Sequence, residues 1–178
     1  LDAEERRALG LAFVPEERLG RGAVPELSLA ENALLTAHRQ GLVSRHFVRA
    51  GAVREYAEQT IAEFRVKAGG PDAVARSLSG GNLQKFIVGR EIRQRPQVMI
   101  AAQPTWGVDV GAAAQIRQAL IDLRDAGVAV LVVSEELDEL FEICDRLAVI
   151  AQGRLAEARP TRDTDAEEIG LLMSGSFI

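Results

Sequence analysis

Two uninterrupted apolar runs of strand length, Val98-Met99-Ile100-Ala101-Ala102 and Ala129-Val130-Leu131-Val132-Val133, constrain this chain more than any other feature. A strand that is apolar at every position has both faces in the interior, which is the pattern of a parallel sheet covered on two sides. Between the runs, Ile116, Ala119, Leu120 and Leu123 recur at helical spacing across residues 113–125, and Gly127 stops the pattern. Strand, helix and strand in that order make a βαβ unit, so the fold class is α/β.

The first half is organised differently. Leu11 to Val14 reads as a short buried strand, stopped by Pro15 and followed by a charged, Gly-containing loop from Glu16 to Gly22. Ser28 with Glu31 three residues later predicts a capping box at the head of a helix that runs through Leu29, Ala33 and Leu34. Val53, Tyr56, Ala57, Ile61 and Phe64 form one core-facing stripe between Ala52 and Lys67, and Gly69-Gly70-Pro71 is expected to end that helix. Beyond the βαβ unit, Arg146 to Ile150, the turn Gln152-Gly153 and Leu155 to Ala158 predict a closing hairpin, and Asp165 to Met173 a terminal helix.

Charge and composition remove several function classes. With 21 basic against 26 acidic side chains the formal charge is −5, which argues against a duplex-DNA binder that works by broad phosphate neutralisation. No apolar run approaches the roughly 18 residues that span a bilayer, and no basic segment precedes an apolar one as in a secretory signal. The single cysteine, Cys144, cannot form an internal disulfide and reads as a buried structural thiol. His38 and His46 sit in a polar stretch, read as solvated, and with one Cys do not complete a tetrahedral zinc set.

Leu78-Ser79-Gly80-Gly81-Asn82-Leu83-Gln84-Lys85 stands at a loop-to-helix junction, with Leu83, Phe86 and Ile87 on one face of the helix that follows. A small hydroxyl and bare glycine backbone let a helix start approach a phosphate, where free N–H groups and the helix dipole favour negative charge. Ser-Gly-Gly by itself is more often an ordinary Ser cap after a Gly turn, so the wider string has to decide.

That string, Leu78 to Gln84, resembles the signature of the ATP-binding-cassette (ABC) ATPases, and Pro104-Thr105-Trp106-Gly107-Val108-Asp109 follows it after a strand at the family's spacing. The resemblance covers nearly all of the chain. It implies part of an ABC-type P-loop ATPase domain. Residues 1–21 would be the strand and loop of the family's Gln-loop region, 22–95 the helical signature subdomain, and 96–178 the C-terminal part of a RecA-like parallel-sheet core. In this family two such domains clamp ATP between them.

The departures from the family pattern are equally specific. Walker B is an apolar strand ending Asp-Glu, whose Asp supports Mg²⁺ and whose Glu positions water; here those positions are Ala102 and Gln103. The switch His corresponds to Glu135 and the loop Gln to Glu16. A Walker A loop needs Lys directly after Gly, whereas Lys67 follows Val66 and Lys85 follows Gln84. In the family that loop lies upstream, and Leu1 stands where an initiator Met would be expected, so the chain reads as a fragment of a longer polypeptide.

Val14-Pro15-Glu16-Glu17-Arg18, Ala101-Ala102-Gln103-Pro104-Thr105 and Val133-Ser134-Glu135-Glu136-Leu137 together resemble the second, degenerate half of the two-cassette subunits of simple-sugar and nucleoside importers. That resemblance implies that Ser79, Gly80, Gly81 and Gln84 line a nucleotide in trans and that Asp109 couples the two sites. It implies no catalytic residue and no metal ligand in this chain, with ATP and Mg²⁺ bound only in the full assembly. The implied partners are an upstream ATPase domain of the same polypeptide, transmembrane permease subunits and ATP at the domain interface, without nucleic acid. The implied location is cytoplasmic, on the inner face of the plasma membrane through the permease. The alternatives are an ABC ATPase without a transporter, as in DNA repair or translation, and an interaction or regulatory module whose Ser-Gly-Gly is only a helix cap. The acidic balance and the lack of a long heptad tract count against the former.

Overall fold

The computed structural model describes residues 1–175. The chain begins with α1 (Ala3–Ala8), closed by a capping box in which the Glu5 N–H donates to the Asp2 carboxylate and the Asp2 N–H to the Glu5 carboxylate. β1 (Leu11–Val14) follows, with Ala12 and Val14 buried. α2 (Leu29–Ala37) starts on the expected capping box: the Glu31 N–H donates to Ser28 Oγ at 3.1 Å and the Ser28 N–H to the Glu31 carboxylate at 2.8 Å.

After a π-type turn at His38–Leu42, β2 (Val43–Ser44) and β3 (Phe47–Val48) make a small antiparallel hairpin. Its two turn residues, Arg45 and His46, have φ of 48° and 68°, the left-handed pair that a tight hairpin requires. α3 (Ala50–Glu63) buries Val53, Tyr56, Ala57 and Thr60. It ends well before the glycines that were expected to stop it, because Arg65 turns left-handed (φ 49°) and the Val66 N–H closes on the Ile61 carbonyl at 2.9 Å. Ile61 and Phe64, at the end of the stripe, are therefore only half-buried.

α4 (Gly80–Ile92) is the central helix of this part and packs on α2, α3 and β1. Leu83, Phe86, Ile87 and Val88 are all buried. Gly89 is glycine because the ring of Phe64 occupies the place of its Cβ. The next two residues form a buried ion pair, with Arg90 Nε on the Glu91 carboxylate at 3.0 Å. Arg90 also donates to the carbonyls of Asn32 and Gly22, at 3.0 and 2.9 Å, and Glu91 accepts from Arg7 at 2.9 Å. A buried charge so fully bonded fixes the helix, the Gly22 loop and α2 to one another.

β4 (Val98–Ala102), α5 (Val110–Asp125) and β5 (Ala129–Val133) are the expected βαβ unit, and the sheet runs β1-β4-β5, all parallel, with Phe13 beside Ile100 and Ile100 beside Leu131. α5 starts earlier than its apolar spacing shows because Asp109 caps it. On β4 the buried Met99 and Ala101 share one face while Ile100, on the other, is half-buried, and on β5 burial on both faces fails, with Ala129, Leu131 and Val133 exposed. The physical reason is position: among the described residues β5 is the edge of the sheet.

The chain divides into two compact units, Leu1–Val133 and a second one that begins at Ser134. The second holds α6 (Leu137–Ile143), β6 (Arg146–Leu147), β7 (Ile150–Ala151), β8 (Arg154–Leu155), β9 (Arg159–Pro160) and α7 (Ala166–Met173) around Leu147, Val149 and Ile169. The expected hairpin is split into two ladders, β7 with β8 about Gln152 and Gly153 (φ 51° and 74°), and β6 with β9. Cys144 packs against this core half-buried rather than fully buried. Among the described residues no helix is long and apolar enough to cross a membrane.

Candidate functional site

The residues singled out in the signature and in the turn after β4 meet at the N-terminus of α4. Ser79 is exposed and has N-cap backbone geometry (φ −63°, ψ 154°), yet its side chain makes no cap hydrogen bond. Its Oγ accepts from Asn82 Nδ2 at 2.9 Å instead. The serine hydroxyl therefore does not use up the N–H groups of the first helical turn, which an ordinary Ser cap does.

Three ties hold the turn Pro104–Asp109 against that helix start. Gln84 is fully buried and donates through Nε2 to the Pro104 carbonyl at 2.9 Å, so its amide acts on the turn. Gly81 is buried under Asp109: a Cβ there would lie 2.9 Å from Asp109 Oδ2 and 3.1 Å from Ala112 Cβ. Asp109 in turn accepts from the Ala112 N–H at 2.9 Å, capping α5, and that hydrogen bond holds its carboxyl below the usual carboxylate range.

The third tie was not legible in the sequence. Arg18, from the loop after β1, donates through Nη2 to the Trp106 carbonyl, and its Nη1 lies 2.9 Å from where a Cβ on Gly80 would stand. Gly107 faces the same guanidinium, with Nη2 3.3 Å from its Cβ position, and has a φ of 62°. Burial pulls the Arg18 pKa below its ordinary value, and its Nε is buried without a hydrogen-bond partner. Arg18 closes the stretch Val14–Arg18 that carries part of the family resemblance, but nothing in the sequence shows that its side chain reaches the turn after β4.

Four further residues, Glu16, Ala102, Gln103 and Glu135, were expected at positions of the family's catalytic elements. Ala102 ends β4 half-buried, and Gln103 follows in the left-handed region (φ 48°), its N–H on the Val133 carbonyl at 2.7 Å. A methyl group and an amide do not fit a magnesium ion, which wants carboxylate and water oxygens. Glu16 is exposed in the loop after β1, and Glu135 is exposed in the second unit. Trp106, the only tryptophan of the chain, is 60% exposed on the turn.

No family model matches the chain. It is 40% identical over 168 residues to the guanosine import ATP-binding protein NupO of Bacillus subtilis, covering 94% of this chain and 33% of that protein. It is 42% identical over 169 residues to the nucleoside import ATP-binding protein NupA of Lactococcus lactis, again covering 94% and 33%. With the glucose import ATP-binding protein TsgD13 of Haloferax volcanii it shares 41% identity, over 93% of this chain and 31% of the relative. The chain thus spans about a third of the length of these relatives.

Among solved structures, the dimeric ATP-binding cassette MJ0796 bound to ADP and Pi superposes with a TM-score of 0.74 at 22% identity, over 91% of this chain and 68% of that one. At that identity the likeness establishes the fold. Along nearly all of its length the chain is thus similar in sequence to ATP-binding proteins of sugar and nucleoside import, and it has the fold of an ATP-binding cassette.

Proposed function

We propose that the chain is the C-terminal part of the second, degenerate ATPase domain of an ABC import subunit for simple sugars or nucleosides, supplying its signature in trans to an ATP held by a facing cassette. The observation that carries this reading is the start of α4. Ser79 is exposed there without capping the helix, and Gly80 and Gly81 leave the first turn without side chains. Unspent N–H groups and the positive end of the helix dipole attract an anionic oxygen such as that of a γ-phosphate.

In this reading Ser79, Gly80 and Gly81 face the phosphate. Gln84 contributes from beneath through Pro104, and Asp109 holds the turn that would couple the two nucleotide sites. In this reading residues 1–21 are the strand and loop of the Gln-loop region, 22–95 the helical signature subdomain and 96–178 the C-terminal part of the RecA-like core. ATP supplies the chemistry and Mg²⁺ its charge neutralisation, both held in the full assembly by the facing cassette, since Ala102 and Gln103 offer no metal site and this chain has no Walker A loop. Relatives that serve guanosine, nucleoside and glucose import support import of sugars or nucleosides, and a match to a third of their length supports one part of a longer subunit. That subunit would sit on the cytoplasmic face of the membrane through its permease partners.

The test is Ser79→Arg in the full-length subunit assembled with its permease. A bulky cation at the helix start blocks the phosphate, so ATP turnover should fall about a hundredfold, as when a preorganised donor is lost from a transition state. An exposed cap position costs only about 1 kcal/mol, so the melting temperature should move by a few degrees at most. Normal turnover by this variant would overturn the reading.

A further inference from the structure

Arg18 occupies an electrostatically awkward place. Its guanidinium packs against the N-terminus of α4, where the helix dipole is already positive, and one of its nitrogens has no partner. Burial disfavours its charge as well. What holds it there is geometry: Nη2 bonds the Trp106 carbonyl of the turn, while Nη1 rests over Gly80 of the helix. The nearest neighbours of a Cβ on Gly80 would be Arg18 Nη1, the Gly107 carbonyl and Arg18 Cζ, at 2.9, 3.7 and 3.8 Å. A side chain at Gly80 would therefore point into the Arg18 guanidinium, and glycine at 80 and 107 makes room for that group.

We propose that Arg18 is a positioning residue of the nucleotide site: it sets the distance between the Ser79–Gly81 helix start and the Trp106–Asp109 turn. This rests on the reading that Ser79 to Gly81 engage ATP. The planar fork suits the task because one group reaches both elements, which the single Nζ of lysine does not. Gln84 and Gly81 fix the far side of the same turn, through Pro104 and Asp109. Arg18 is the tie on the side of Ser79, and it brings a second positive charge to the place where a phosphate would arrive.

The experiment uses the full-length subunit with its permease and compares Arg18→Ala, Arg18→Lys, Gly80→Ala, the double variant Arg18→Ala with Gly80→Ala, and Ser79→Arg. Each is read by kcat and KM for MgATP and by melting temperature. Misplacement of a positioning group acts on the step in which the site closes, so Arg18→Ala should lower kcat between about tenfold and a hundredfold, with KM changed less than about twofold. Arg18→Lys should recover part of that loss. Gly80→Ala should also lower kcat, but the double variant should be no worse than Arg18→Ala alone, because the methyl group then meets no guanidinium.

A fully active Arg18→Ala beside an inactive Ser79→Arg overturns the role of Arg18 alone; both fully active overturn it together with the reading beneath it. Multiplying defects in the double variant, or a loss of kcat in Arg18→Ala and Arg18→Lys that only tracks a fall in melting temperature, overturn it too.

Discussion

Gly81 lies so close beneath Asp109 that a Cβ on it would stand 2.9 Å from the carboxylate oxygen, nearer than a Cβ carbon approaches a neighbouring atom in folded proteins. The helix start and the turn after β4 touch directly at that point.

Gly81→Ala is accordingly expected to destabilise the first unit although alanine favours a helix. Overpacking against Asp109 and Ala112 costs about 1–3 kcal/mol, against a propensity gain below about 1 kcal/mol. Urea unfolding measures the net loss. Asp109→Ala alone should cost about 1 kcal/mol as a lost cap of α5. Combined with Gly81→Ala it should cost less than the sum, since the oxygen that the methyl meets is gone. Additive losses would show that Asp109 is not the reason for the glycine.

The buried pair at the end of α4 leads to a second expectation. Glu91 is the counter-charge of Arg90, whose burial pulls its pKa down. Glu91→Ala leaves a cation in the interior and should lower stability by about 3–5 kcal/mol. Glu91→Gln keeps an acceptor of the same shape and should fall between this and the parent protein, as followed by chemical unfolding. Equal behaviour of the two variants would mean that packing and not charge decides at this position.

Much of this arrangement was legible along the chain, and what was not has physical reasons. Ser28 with Glu31, the apolar runs of β4 and β5, and the stripe on α5 are local signals whose partners lie within a few residues. Nothing in the sequence marks the hairpin at Arg45 and His46, because its left-handed residues are not glycine. The end of α3 was misplaced for the same reason: Arg65, not Gly69 or Gly70, makes the turn. At the site, Ser79, Gly80, Gly81 and Asp109 are motif positions. The bonds Gln84 to Pro104 and Arg18 to Trp106 join a side chain to a backbone carbonyl 20 and 88 residues away, and a carbonyl has no residue type to recognise.

Tyr56 offers a pH test. Its hydroxyl donates to the Arg90 carbonyl at 3.0 Å, and burial pushes its pKa up from 10.0 to about 12. The folded state therefore holds a proton that the unfolded state gives up first, so the contribution is complete below about pH 10 and is lost as pH rises through about 12. Unfolding free energy should decline across that interval, and Tyr56→Phe should flatten the decline while costing about 1 kcal/mol at neutral pH for the missing hydrogen bond. An unchanged alkaline slope in the Phe variant would assign the effect to other groups.

The exposed Trp106 gives the chain an optical property of its own. As the single indole, 60% exposed on the turn that Arg18 and Gln84 hold, it makes the near-ultraviolet emission of this polypeptide a report on that turn alone. Its colour follows the wetness of the ring, and its quenching by iodide or acrylamide follows access. Anything that settles on the turn, whether nucleotide, a facing domain or a second copy, darkens or shifts a signal that needs no dye.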